Sequence, residues 1–175
     1  MSSEHFTVDG TLIESWASLK SFKSKDDDDQ TPPDDPGNPT VDFHGEKRSN
    51  ETDPDAKLAR KGKGKEAKLS YSAHALIENR NGLVLDLQMD VADGYAERRN
   101  ALEMLDNIDA RTTGHAGYAI SQRVRKRVEE VFGWIKTVGN FRKSRYIGLG
   151  ANQVAAYVLA SAYNLLRIAK LLEAA

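Results

Sequence analysis

With 175 residues, the chain is long enough for one domain with its own hydrophobic core. It has no cysteine, which excludes disulfides, a thiolate nucleophile and a cysteine-based zinc site, and it begins without the features of a secretory signal, so we expect a cytoplasmic protein. The net charge of −1 hides an asymmetry, because from residue 111 onward eleven Lys and Arg stand against three Glu. Such a basic half is typical of proteins that bind nucleic-acid phosphates, with a solvated basic surface as an equal alternative on charge alone.

The first third of the chain predicts two short elements and a long polar segment. Residues 5–8 predict a strand that ends at Asp9, and residues 12–19 have the apolar spacing of a helix. Residues 20–66 are polar and rich in Pro, Gly, Asp and Lys, which indicates a loop or disordered insertion. Its basic stretch, residues 57–65, is suited to lie along DNA, and a plain solvated linker is the alternative.

A hairpin and a helix are predicted next. Residues 69–78 and 83–89 are two strand-like runs, and the Asn81–Gly82 pair between them is a strong hairpin signal. Asp93 is a suitable N-terminal cap for the following helix, which should end near Asp106.

Two further helices are predicted in the basic half. Residues 121–136 and residues 152–172 each carry apolar residues at helical spacing. The last helix is interrupted by Arg167 and Lys170, which favours a packed helix of a soluble protein over a membrane span. We expect its apolar face to pack on the sheet or on the helix before it.

A charged stripe runs along the helix predicted over residues 121–136. Arg125, Glu129 and Lys136 are four and then seven residues apart, and at 100° per residue the eleven residues from Arg125 to Lys136 return to within about 20° of the start. On spacing alone, the favoured explanation is an exposed ion pair between Arg125 and Glu129.

The same stripe resembles a signature of bacterial insertion-sequence transposases of the four and five groups. In that signature a Tyr is followed after two residues by Arg, after three more by Glu and after six more by Lys. This chain has the last three residues at that spacing and Gln122 at the Tyr position. Runs that resemble the five group are distributed along nearly the whole chain, at residues 6–13, 16–22, 45–50, 78–83, 121–136 and 162–166.

The resemblance implies a DDE transposase, with a ribonuclease-H-like fold in which two Asp and one Glu hold two Mg²⁺ or Mn²⁺ ions. Two such cations activate the attacking oxygen and stabilise the leaving oxygen of a phosphodiester. Asp9 matches the first carboxylate and Glu129 the third, so both are candidate catalytic and metal-binding residues. The candidate DNA-binding residues, which would contact backbone phosphates, are Arg123, Arg125, Arg127, Lys136, Arg142 and Lys143.

The second Asp of the family has no counterpart in this chain. It belongs on a strand after the helix that follows the hairpin, and a strand, a helix and another strand need about thirty residues. Only about five residues are present there, so we infer a deletion junction at residues 106–111, and the family's N-terminal DNA-binding region is missing as well. Catalytic groups need placement to within about 0.5 Å, which makes poor substitutes of the nearby acids Asp86, Asp90, Asp106 and Asp109.

These features predict a single α/β domain over residues 1–175. We expect an incomplete ribonuclease-H-like fold with a strand, an antiparallel hairpin, about four helices and a long polar loop. The expected partners are DNA, at element ends and target, and an intact transposase or a second copy, with no membrane. The predicted function is that of a DNA transposition protein of the transposase family, which binds DNA and whose intact relatives cut and join phosphodiester bonds by two-metal phosphoryl transfer. The missing Asp indicates that this chain is itself inactive. The alternative is a non-catalytic remnant that binds DNA or pairs with an intact transposase, as an inhibitor or without a function.

Overall fold

The computed structural model describes residues 6–17, 22–24, 48–50, 52–62, 64–106 and 126–174. Within these ranges the chain forms six strands and three helices. In chain order they are β1 (Phe6–Glu14), β2 (Phe22–Ser24), β3 (Arg48–Asn50), β4 (Lys57–Ala59), β5 (Lys68–Glu78), β6 (Leu83–Val91), α1 (Ala96–Asp106), α2 (Arg127–Thr137) and α3 (Leu149–Glu173).

The main sheet is antiparallel and has four strands, with β5 in the centre. β1 pairs along one edge of β5, from Ser70 to Glu78, and β6 pairs along the other edge. β4 pairs with β5 on the same edge as β6. Its Lys57 pairs with Ser70, and the other edge of Ser70 is already paired with Glu14 of β1. β5 is therefore enclosed on both edges, and every residue in it except Lys68 is buried.

The predicted hairpin is confirmed, with strands slightly longer than the sequence indicated. Gly82 in its turn has φ +72°, a left-handed conformation that glycine adopts without strain. The register shifts between Leu76 and Ile77, which pair with Asp86 and Val84, so Leu85 is an extra residue in β6. This bulge leaves Leu85 exposed.

β1 is longer than predicted. It continues to Glu14, so Asp9 lies within the strand and not at its end, and the helix expected from residue 12 is wrong as far as residue 17. Residues 18–20 lie outside the described residues. The apolar spacing there imitates a helix, but pairing of Leu12, Ile13 and Glu14 with β5 supplies their backbone hydrogen bonds and overrides it.

Part of the polar segment over residues 20–66 is ordered. β2 pairs with β3 as a separate two-stranded sheet, and β4 joins the main sheet. Residues 25–47 lie outside the described part of the chain. The basic stretch over residues 57–65 therefore begins as a strand anchored to β5.

Helices cover both faces of the main sheet. α2 and α3 pack on one face, where the core includes β5 and the buried side of α2. α1 packs on the other, with Met104 and Asn100 buried, and its described residues run as far as Asp106. α3 begins three residues earlier than expected, and its predicted packing on the sheet and on the preceding helix is confirmed. Residues 121–125 of the predicted third helix are not among the described residues.

Two amide side chains of α3 bind the outer edge of β6. Gln153 accepts from Met89 N (2.7 Å) and donates to Leu87 O (2.8 Å). Asn164 accepts from Val84 N (2.8 Å) and donates to Val84 O (2.7 Å). An unpaired strand edge invites aggregation, and these amides take the place of a neighbouring strand.

α3 is the one described helix that is long and apolar enough to cross a membrane, and only 17% of its most apolar window is buried. A single helix that passes this test is weak evidence, because helices of soluble proteins pass it too. The hydrogen bonds of Gln153 and Asn164 to β6 hold one face of α3 on the sheet.

A buried carboxylate joins the segment before β4 to three other elements. Asp53 is fully buried and accepts hydrogen bonds from Ser15 Oγ (2.7 Å), Gly148 N (3.3 Å) and the Tyr71 hydroxyl. Burial and the Asp53 carboxylate raise the pKa of the Tyr71 hydroxyl, which keeps it protonated as a donor. Nearby, Asp55 accepts from Leu149 N (2.8 Å) in the first turn of α3, where the helix dipole favours a negative charge.

We expect Asp53→Ala to lower the free energy of unfolding by about 3 kcal/mol, because it leaves several buried donors without an acceptor. The matched control, Asp55→Ala, removes a helix-terminal contact and should cost about 1 kcal/mol. Urea unfolding followed by circular dichroism measures both. Equal effects of the two substitutions would contradict a central role for Asp53.

Candidate functional site

Asp9 lies half-buried in the middle of β1, opposite Ala75 of β5. Its carboxylate accepts a hydrogen bond from Gly10 N (2.8 Å). Alternate residues of a strand share one face, and Ile13 on the same face as Asp9 belongs to the core formed with α2. Asp9 therefore points to the side of the sheet that α2 and α3 cover.

α2 runs beside β1 in the same direction. At its start, the Arg127 guanidinium donates to Asn79 O (2.5 Å), and Thr7 Oγ1 donates to the side chain of that same Asn79 (3.0 Å). Near its end, Lys136 Nζ donates to Thr11 Oγ1 (2.5 Å). The helix rises about 13.5 Å between its two contacts and the strand about 13 Å, so the two elements are nearly parallel.

This alignment brings Glu129 to the same side of the sheet as Asp9. Glu129 is seven residues before Lys136, on nearly the same stripe of the helix and about 10 Å along it. Asp9 is two residues before Thr11, about 7 Å along the strand on the same face. The two predicted carboxylates thus lie on elements that face each other, with Glu129 exposed.

The acids of the described residues do not fit a two-metal centre. No group of three or more His, Asp or Glu in the described ranges is placed to hold a metal ion. Asp90 accepts from Arg99 and Asn100 of α1 (3.0 and 2.7 Å), so it lies on the opposite face of the sheet from Asp9, and Asp86 shares that face.

The other two acids considered as substitutes for the second Asp are Asp106 and Asp109. Asp106 ends α1, which also lies on that opposite face. Asp109 falls outside the described residues. Asp9 and Glu129 are left as a pair, which is one carboxylate short of the family's set.

Three of the predicted DNA-binding residues form one basic surface. Burial lowers the pKa of Lys136, and the nearby charges of Lys61 and Arg142 lower it further. Lys143 is next in sequence to Arg142 and forms a parallel bridge with Glu14 at the end of β1. We call Lys61, Lys136, Arg142 and Lys143 the basic cluster.

Individual members of this surface differ in how freely they could reach a ligand. Lys61, Arg142 and Lys143 are exposed, and Lys143 Nζ lies 5.3 Å from the centre of the Trp16 ring. Lys61 was not singled out from the sequence, although the basic stretch over residues 57–65 contains it. Glu14, an acid whose charge acts on Lys136, is paired with Lys68 (2.9 Å).

The other predicted basic residues lie elsewhere. Arg127 is half-buried and its guanidinium donates to the carbonyls of Asn79 and Arg80, both at 2.5 Å, which holds the β5–β6 turn against α2. Arg123 and Arg125 lie outside the described residues, so the Arg125–Glu129 spacing has no structural counterpart in the described chain.

Residues 110–165 match the family model of the transposase DDE domain. These residues are similar to the DDE domain of transposases. The match includes Glu129, Lys136, Arg142 and Lys143 and leaves residues 1–109, with Asp9, outside it. No curated protein and no solved structure gives a significant match. The predicted resemblance to DDE transposases is thereby confirmed for residues 110–165.

Behind Asp9, on the face of the sheet that α1 covers, lies a buried histidine. His74 Nε2 is 2.7 Å from Ser72 Oγ, whereas Nδ1 has no hydrogen-bond partner among the described residues. Nδ1 lies so close to Gly10 that a Cβ there would approach it to 2.9 Å. Burial lowers the pKa of His74, and the charges of Asp90 and Glu97 only partly oppose this.

Because the folded state resists protonation of His74, its contribution to stability should be complete above the ordinary pKa of 6.5 and should decline as the pH falls below it. We expect His74→Gln to reduce this loss. As the pH is lowered, the unfolding free energy of the variant should therefore fall less than that of the wild type. Urea unfolding at pH values on either side of 6.5 tests this. Parallel pH profiles would show that His74 does not contribute.

Proposed function

We propose that this transposase relative binds DNA through the phosphate backbone and does not cut it. The observation that carries the proposal is the basic cluster: Lys136 is bonded to Thr11 of β1, and Arg142 and Lys143 lie against the end of the same strand at Glu14. The positive charges of Lys61, Lys136 and Arg142 repel one another, and a phosphate bound among them would relieve the repulsion. Contacts of this kind position DNA without reading its sequence.

The position of the basic cluster relative to Asp9 supports the same proposal. Lys136 contacts Thr11, two residues from Asp9 on the same face of β1. In intact relatives, as the resemblance implies, the first carboxylate lies where the scissile phosphate is bound. DNA held by the basic cluster would therefore pass along the ancestral catalytic surface.

The sheet is compatible with an incomplete ribonuclease-H-like fold, which we include in the proposal. The strand with the first Asp, β1, is followed by the antiparallel pair β5 and β6, in the spatial order β1–β5–β6. The free edge of β1, opposite β5, is where the strand with the second Asp would pair. Among the described residues, the segment 142–144 contacts this edge at Glu14. Glu14 forms a bridge with Lys143, its N donates to Arg142 O, and its O accepts from Ser144 N.

An internal deletion accounts for the missing strand. The family match begins at residue 110, within the junction inferred at residues 106–111. α1 ends at Asp106, on the face of the sheet away from α2. A deletion there would remove the second Asp together with the strand that carries it, so a point reversion near Asp106 would not restore a catalytic site.

The residues that remain are expected to catalyse no phosphoryl transfer. When bound in intact relatives, two Mg²⁺ ions would activate the attacking oxygen and stabilise the leaving oxygen of the phosphodiester. Asp9 and Glu129 offer one carboxylate from β1 and one from α2, and the acids considered as replacements lie on the other face or outside the described residues. The basic cluster requires no metal and should bind DNA without one.

DNA binding is tested by fluorescence anisotropy of a labelled duplex over a series of salt concentrations. We expect the double variant Arg142→Gln/Lys143→Gln to bind more weakly and to reduce the slope of log K against log salt by about 0.9 for each lost phosphate contact. The matched control is Arg98→Gln/Lys170→Gln, which removes the same charge from α1 and α3. An equal loss in both would refute a localised site.

Catalysis is tested separately with supercoiled plasmid in the presence of Mg²⁺ or Mn²⁺. We expect no nicking above background, and no difference between wild type and Asp9→Ala, because the donor set is incomplete. Glu129→Ala and its neighbour Glu130→Ala form a matched pair. Nicking that Asp9→Ala and Glu129→Ala abolish and Glu130→Ala retains would show that the chain is an active enzyme.

A further inference from the structure

α3 has two apolar sides, and only one of them packs against other described residues. The inner side contains Asn152, Ala156 and Ala160, which are buried. The outer side carries large apolar side chains that nothing in the described part of the chain covers. Their exposed fractions are 63% for Val154, 62% for Val158, 70% for Leu165, 42% for Ile168 and 74% for Leu172.

The outer side has the spacing of a helix-pairing surface. Together with Ser161, these residues follow one another at intervals of four, three, four, three and four, which is the alternation of a heptad repeat. A spacing of 3.5 residues keeps a narrow line of side chains directed at a second helix over its whole length. We call residues Val154, Val158, Ser161, Leu165, Ile168 and Leu172 the outer seam.

The two halves of the outer seam have complementary shapes. Beside its first half lies an apolar groove of about 520 Å³, whose lining includes Phe141, Tyr146 and Leu159. Beyond Ala160 no residue of α3 is buried, and the second half of the seam carries its two most exposed side chains, Leu165 and Leu172. One half of the helix thus presents a recess, and the other presents side chains that would fill one.

We propose that two copies of this chain pair through their outer seams, antiparallel, about a two-fold axis near residue 163. In this register Val154 of one copy meets Leu172 of the other, and Val158 meets Ile168. The second half of each outer seam then lies along the groove of the other copy. The contact is made twice, as a two-fold interface requires.

Charge favours an identical partner in this orientation. The seam contains no charged residue, and the positions beside it on one flank are Ala155, Ala162 and Ala169, so a second copy can approach closely without repulsion. The antiparallel register brings Glu173 near Arg145 of the other copy, at the groove. A parallel register would bring Glu173 against Glu173.

The opposite flank of α3 argues against a membrane as the occupant. Arg167 Nε donates to Asn81 O (2.6 Å), and Gln153 and Asn164 are bonded to β6. A helix that crossed a bilayer would lose all of these contacts. The pairing proposed here uses the outer side alone, leaves them in place and does not depend on DNA binding.

Sedimentation equilibrium of the full chain over a range of concentrations tests the pairing. We expect a monomer–dimer equilibrium in which Leu165→Glu raises the dissociation constant at least tenfold, because it places two carboxylates near the two-fold axis. Leu166→Glu is the matched control, since Leu166 is the next residue, is 49% exposed and lies off the seam, and it should have little effect. Circular dichroism establishes that both variants fold.

The orientation is tested by disulfide trapping, because the chain has no cysteine of its own. When the Ala155→Cys and Ala169→Cys proteins are mixed and oxidised, antiparallel pairing predicts a disulfide between the two different proteins. Trapping of each protein with itself would overturn the proposal. It would also be overturned by a monomer at every concentration, by a dimer that Leu165→Glu leaves intact, or by binding to phospholipid vesicles that Leu165→Glu abolishes.

Discussion

The buried carboxylate of Asp53 is the contact on which the described fold most depends. It accepts hydrogen bonds from the end of β1 through Ser15, from β5 through Tyr71 and from the start of α3 through Gly148. These three elements are far apart in sequence, and each donor would be left unsatisfied in a dry interior without it. One acidic side chain in an otherwise polar segment therefore determines where the last helix begins relative to the sheet.

The fixed start of α3 has consequences along its whole length. From Leu149 the helix runs past β6, so Gln153 and Asn164 reach that strand's outer edge and satisfy its backbone. With this side of α3 held on β6, the opposite side of the helix is left exposed and carries the outer seam. At the other edge of the sheet, α2 with its basic residues runs beside β1.

Local signals in the sequence predicted the elements that depend on local chemistry. The hairpin follows from Asn81–Gly82 between alternating strands, and the helix that ends at Asp106 follows from its cap and apolar spacing. The stripe of α2 was predicted to gather Glu129 and Lys136 on one side, and the structure places that side along β1. The segment over residues 12–17 was mistaken for a helix because its apolar spacing fits both the period of a helix and that of a strand. Only the pairing with β5 decides between the two.

The sequence by itself determined the resemblance to DDE transposases, which the family model bears out over residues 110–165, and it predicted Asp9 and Glu129 as the matching carboxylates and no Asp at the place of the second one. These inferences depend on residue types in order along one chain. Tertiary structure alone decided that Asp9 lies within β1, that Asp86 and Asp90 lie on the opposite face, and that Lys61 joins Lys136 and Arg142. It also decided that Asp53 is buried, although it stands among polar residues. The reason is that faces of a sheet, burial and the approach of distant charges arise from pairing between segments remote in sequence, which no local pattern encodes.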